Sequence, residues 1–141
     1  FPTRRSSDLC VRIFLAAICL LLLSPAAMAD RARSFVDAEN HTGYYVYTDS
    51  ISWDSDHEVT ADVVMIRADS NRMFVYQTHF DTDATSCQFM NSRVYRYDTQ
   101  KLLMQSDTPL APRVYTPSSP LQQVADYLVS LRVRQESAAE D

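Results

Sequence analysis

The sequence predicts an α+β fold, a small antiparallel β-sheet of about five to six strands packed against one C-terminal helix. Three observations carry this prediction. From Tyr44 to Gln105 the chain runs in short aromatic and β-branched segments, most of them alternating with a period of two. The connections between these segments are short, which suits antiparallel neighbours in a meander. After a Pro-rich stretch over 109–117, the apolar period changes to that of a helix.

In chain order, Ser34–Ala38 opens as a candidate strand. Tyr44–Thr48 (YYVYT) follows the turn signal His41-Thr42-Gly43 and ends at Asp49-Ser50. Glu58–Arg67 places Val59, Ala61, Val63 and Met65 on one face, with Val64 and Ile66 on the other. Arg72–Phe80 sets Met73, Val75, Gln77 and His79 against Phe74, Tyr76, Thr78 and Phe80. Cys87–Tyr97 carries Phe89, Val94, Tyr95 and Tyr97, with a bulge expected at Asn91-Ser92. The turn Asp98–Lys101 leads into a short strand, Leu102–Gln105. Ser119-Pro120-Leu121-Gln122 then reads as an N-cap serine, a proline at the first helical position and a glutamine at the capping-box position. Leu121, Val124, Ala125, Leu128 and Leu131 recur at helical spacing, which predicts a helix over about 120–133 with one apolar stripe on the sheet. The last residues, Glu136–Asp141, are expected to fray.

The N-terminal part is expected to lie outside this fold. Residues 1–9 (FPTRRSSDL) match the translation of a common sequencing-adapter oligonucleotide, and are set aside as an artefact. Residues 10–29 read as a signal peptide. Arg12 is the positive flank, Ile13–Leu23 the apolar run, Ser24-Pro25 the breaker, and Ala27-Met28-Ala29 the small-residue cleavage pattern. The apolar run of eleven residues falls well short of the roughly 20 that a span requires. Cys19 sits inside the run without a lipobox. The mature chain is therefore expected to begin at Asp30 as a single domain over 30–141, with its core at about 35–133, and to keep no membrane span after cleavage.

Charge narrows the partners. Residues 30–141 keep ten basic and 17 acidic side chains, a net charge near −7 with histidine neutral. That balance argues against nucleic acid, which requires basic phosphate-contacting patches, and against anionic lipid. Cys87 is the one cysteine after Ala29, so no internal disulfide is available to the mature chain, and a small buried core residue is the expected role.

Catalytic patterns are lacking. Gly43 is the single glycine, so no phosphate-cradling loop can be built, and GxSxG, HExxH and CxxC are all missing. His41, His57 and His79 do not have metal-ligand spacing. His57 with Asp54, Asp56 and Glu58 reads as a solvated acidic turn. Asp81 and Asp83 read as turn-capping carboxylates at a strand end, and a hydrolase using His79 with Asp81 is the least favoured reading. No enzyme, no cofactor and no metal site is expected. The aromatic residues offer a stronger lead, because tyrosine, tryptophan and arginine dominate binding hot spots. Tyr44, Tyr45, Tyr47 and Trp53 are the candidate protein-binding residues, with Trp53 in a polar loop between Ser52 and Asp54.

Three segments carry a family resemblance: YYVYTDSI (Tyr44–Ile51), YDTQKLLMQSDTP (Tyr97–Pro109) and YTPSSPLQQVADYLV (Tyr115–Val129). In this order they resemble the surface-adhesin protein E-like domain of bacteria, over roughly residues 35–130. The resemblance implies a small antiparallel sheet packed on a C-terminal helix, and adhesion to host extracellular-matrix or serum proteins. The departures are Lys101 near a position where a turn glycine is common, Phe35 where an early tryptophan stands, and a lone Cys87 where a disulfide is frequent.

Two functions stay open. The first is an exported binding module of the bacterial cell surface, periplasm or extracellular space, acting as an adhesin. The second is a periplasmic structural protein without a host ligand, forming a homodimer through an open sheet edge.

Overall fold

The computed structural model describes residues 31–141, and the adapter-like segment, the signal region and the cleavage site all lie outside the described residues. Among the described residues eight strands form, six of them where the sequence pattern places them. They are β1 (Arg33–Glu39), β2 (Thr42–Tyr47), β3 (Ser52–Trp53), β4 (Glu58–Arg67), β5 (Arg72–Asp81), β6 (Ser86–Arg96), β7 (Leu102–Ser106) and β8 (Arg113–Val114). One helix, α1 (Pro120–Ala139), follows them. The strands make one eight-stranded sheet with the order β1-β2-β4-β5-β6-β7, and all their pairings are antiparallel. Six strands form the continuous path. The two-residue strands β3 and β8, too short to leave a periodic signal, pair with β4 and β6. Among the described residues no helix is long and apolar enough to cross a membrane.

The turns explain why the strands meet in register. Asn40 and His41 have φ of 49° and 61°, the left-handed pair that a two-residue type I′ hairpin requires. The turn therefore precedes the expected His41-Thr42-Gly43, and Gly43 lies within β2. Its lack of a side chain serves packing: a Cβ there would sit 2.9 Å from the Tyr45 ring, which folds back over it. Asn71, at φ 52°, closes the β4–β5 connection. Its carbonyl and side-chain oxygens accept the backbone N–H groups of Tyr97 at 3.2 Å and Asp98 at 3.0 Å, tying two neighbouring turns together.

The core lies between α1 and one face of the sheet. Val46, Val59, Ala61, Val63, Phe80 and Cys87 meet Val124, Ala125 and Leu128 of the helix, with Tyr115 beside them. Removing this apolar surface from water, at about 25 cal/mol per Å², is what holds the helix in place. The opposite face of the central strands is also buried, through Val64, Val75, Ile66, Met73 and Tyr95. The run Val63-Val64-Met65-Ile66 thus supplies both faces. Arg31 and Arg33 add cover to that second face. The Arg31 guanidinium lies 4.0 Å from the Tyr47 ring centre, and Arg33 reaches Met73 Sδ at 3.7 Å.

The helix begins as its sequence predicts. Ser119 Oγ accepts the Gln122 N–H at 3.3 Å, and Pro120 fills the first turn. The reciprocal half of a capping box is not made, because the Gln122 amide donates to Asp126 at 2.7 Å and the Ser119 N–H goes to the Thr116 carbonyl. The helix also runs past 133 to Ala139 instead of fraying at Glu136. Its last turns are polar and leave no apolar period, but Arg132 binds Glu136 at 2.8 Å and anchors this half to the β3–β4 turn, donating to Ser55 O at 3.0 Å and Asp56 at 2.7 Å.

Candidate binding groove

The period-two pattern of β5 puts Phe74, Tyr76, Thr78 and Phe80 on the helix face. Across from them, β6 changes phase. Gln77 pairs with Asn91 and Thr78 with Phe89, so Met90 is the bulged residue, just before the expected Asn91-Ser92. The bulge leaves Phe89 on the helix face together with Val94, which pairs with Phe74. Helix α1 covers only part of this face, and beyond its first turn the sheet is open.

There the side chains form a groove of about 300 Å³ lined by Tyr44, Met65, Tyr76, Phe89, Arg113 and Leu121 among others. It continues toward Phe74 and Arg67 through a second hollow of about 260 Å³ that shares Tyr44, Met65 and Tyr76. Its floor is an aromatic row. Phe74 and Tyr76 lie parallel with ring centres 6.4 Å apart, and Tyr76 meets Phe89 at 4.5 Å. Arg113 of β8 closes the row, with its guanidinium carbon 4.4 Å from the Phe89 ring centre. Arg113 takes part in none of the ion pairs among the described residues. Burial pushes the Tyr76 phenol above its ordinary 10.0, against a smaller opposing pull from Arg113. Burial likewise raises Tyr44, helped by Glu39 and Asp37. Both phenols are therefore neutral at physiological pH and can donate hydrogen bonds. A groove of this kind suits an apolar or aromatic group carried beside an anion.

The structure separates the four candidate tyrosine and tryptophan residues. Tyr44 lines the groove. Tyr45 lies on the opposite face, edge-on to Phe35 at 5.5 Å and below Arg33. Tyr47 is buried on that same face. Trp53 sits in β3, partly buried against the core, with the Arg132 guanidinium 4.8 Å from its ring. Phe89 and Arg113 were not among the candidates. The alternation in β5 marks Phe74 and Tyr76 as one face, but no local pattern reports that Phe89 and Arg113 converge on them.

The polar clusters are arranged as turns. Asp81 Oδ1 accepts the N–H groups of Asp83 and Ala84 at 3.1 and 3.0 Å. His79 lies 3.2 Å from Thr60 Oγ1 and 3.7 Å from Glu58, and His57 lies 3.7 Å from Asp83. Among the described residues no three His, Cys, Asp or Glu side chains are grouped to hold a metal ion. Cys87 is buried in the core, and burial raises its thiol above the ordinary 9.0. Compared with known protein families, curated proteins and solved structures, the chain finds no match.

Proposed function

We propose that this chain is an exported bacterial binding module of the cell envelope, an adhesin of the surface-adhesin protein E-like kind. It takes up a protein partner in the groove beside α1. The observation that carries the reading is the aromatic row ending in Arg113, an arginine stacked on an aromatic ring with no carboxylate partner among the described residues. Arginine and tyrosine are the residue types enriched at the energetic centre of protein contacts, and here an exposed arginine stands over the buried Phe89 ring. The complementary group is an aromatic or aliphatic side chain flanked by Asp or Glu, as displayed by a host matrix or serum protein. The signal-like residues 10–29 support export.

Two measurements test the reading. Antibody against residues 30–141 should label intact cells of the source bacterium, and labelling only after lysis would remove the adhesin role. Host matrix and serum proteins should bind immobilised protein saturably. Arg113→Glu should weaken that binding by about thirtyfold, the scale of a hot-spot arginine, with an unchanged circular dichroism spectrum. Equal binding by this variant would rule out the groove. A second reading, an envelope structural protein without a host ligand, is favoured by the exposed apolar edge of the sheet at β7.

A further inference from the structure

The far edge of the sheet is unusually apolar. Strand β7 ends the strand order and pairs only with β6 among the described residues, so its outer N–H and C=O groups face outward. All five of its residues are exposed, with Leu102 at 44%, Leu103 at 43% and Met104 at 67%. Three consecutive apolar residues on an open edge form a template for another strand. The run is flanked by charges of opposite sign, in the order Lys101-Leu102-Leu103-Met104-Gln105-Ser106-Asp107. Lys101 and Asp107 are both exposed, and neither takes part in an ion pair among the described residues.

We propose that β7 pairs antiparallel with β7 of a second copy of this chain, forming a two-fold dimer with one continuous sheet. The charge order selects this occupant. Lys101 and Asp107 flank β7 at its two ends, so antiparallel self-pairing brings the Lys101 end of each copy near the Asp107 end of the other. A parallel arrangement would place like charges together. The same pairing covers both Met104 side chains and the neighbouring leucines. The contact is isologous, so it closes at two copies. A register shift at Leu103 and the proline at 109 keep the pairing short, which limits open-ended stacking. The dimer does not rest on the groove reading, because it uses the sheet edge and the groove lies on the helix face.

The test is the oligomeric state of the chain from Asp30 onward, whose described part, Arg31–Asp141, forms a unit of its own. Sedimentation velocity should show a monomer–dimer equilibrium that shifts with concentration. Met104→Lys should give a monomer with an unchanged circular dichroism spectrum, because Met104 is exposed in the single copy. Lys101→Glu and Asp107→Lys should each weaken the dimer by about tenfold, since the two-fold presents each reversed contact twice. The double variant Lys101→Glu/Asp107→Lys should restore it. A monomer at every concentration would overturn the proposal. So would a dimer indifferent to Met104→Lys, or a double variant no tighter than the single ones.

Discussion

Leu128→Ala measures whether the helix belongs to the core. Leu128 is fully buried at the centre of the α1 stripe, against the sheet face formed by Val59, Ala61, Val63 and Phe80. Truncation removes three carbons, about 2.4 kcal/mol at about 0.8 kcal/mol for each. The cavity left between a helix and a sheet, which cannot fully collapse, raises the cost to about 3–4 kcal/mol. That is a large share of the roughly 5–15 kcal/mol expected of such a domain. In urea, with a slope near 2 kcal/mol per M, the midpoint should fall by about 1.5–2 M at constant slope. Thermally, at about 4 °C per kcal/mol, Tm should fall by about 12–16 °C. Val133→Ala is the control on the same helix. Val133 is 56% exposed, and the change should stay within about 0.5 kcal/mol of the parent. A Leu128→Ala cost below about 1 kcal/mol, or one equal to the control, would refute the packing of α1 described above.

Further outcomes follow from individual contacts. Ser119→Ala removes the acceptor of the Gln122 N–H and should cost about 1 kcal/mol in chemical denaturation. Gln100→Gly should stabilise the protein by about 0.5 kcal/mol, because Gln100 holds φ 59° in the β6–β7 turn and glycine carries no left-handed penalty. A loss of stability in this variant would instead assign the turn to the hydrogen bond from the Gln100 amide to the Tyr97 carbonyl at 2.6 Å. The alkaline limit is set by buried acids. Burial raises Tyr44, Tyr76, Tyr95 and Tyr115 above 10.0, and Cys87 above 9.0. A pKa raised by folding contributes stability in full below the unfolded value and loses it as pH rises through the folded value. Stability should therefore decline above about pH 9–10. Phenolate absorbance at the buried Tyr95 and Tyr115 should appear together with the loss of far-ultraviolet dichroism, and full titration of both in a still-folded protein would contradict their burial.

Much of the architecture is legible in residues close in sequence. The bounds of β4 are those read from Glu58–Arg67, because alternation and β-branching are local. The start of α1 is legible for the same reason, since Ser119 and Pro120 act within one turn. The end of α1 is not, because its final turns are held by Arg132 reaching Ser55 and Asp56 across the fold. The site divides in the same way. Sequence alone marks Tyr44, Tyr45, Tyr47 and Trp53 as an aromatic cluster, and period two separates Tyr44 from its neighbour. It does not tell which face α1 covers, how far along that face the cover extends, or that the bulge at Met90 brings Phe89 beside Tyr76. Those depend on pairings between residues far apart in the chain, where hydrogen-bond register and the volume of the packed helix decide the outcome. The six longer strands and the helix cap were thus determined by the local sequence. The burial of Tyr47 and the convergence of Tyr44, Tyr76, Phe89 and Arg113 on one groove were decided by tertiary packing alone.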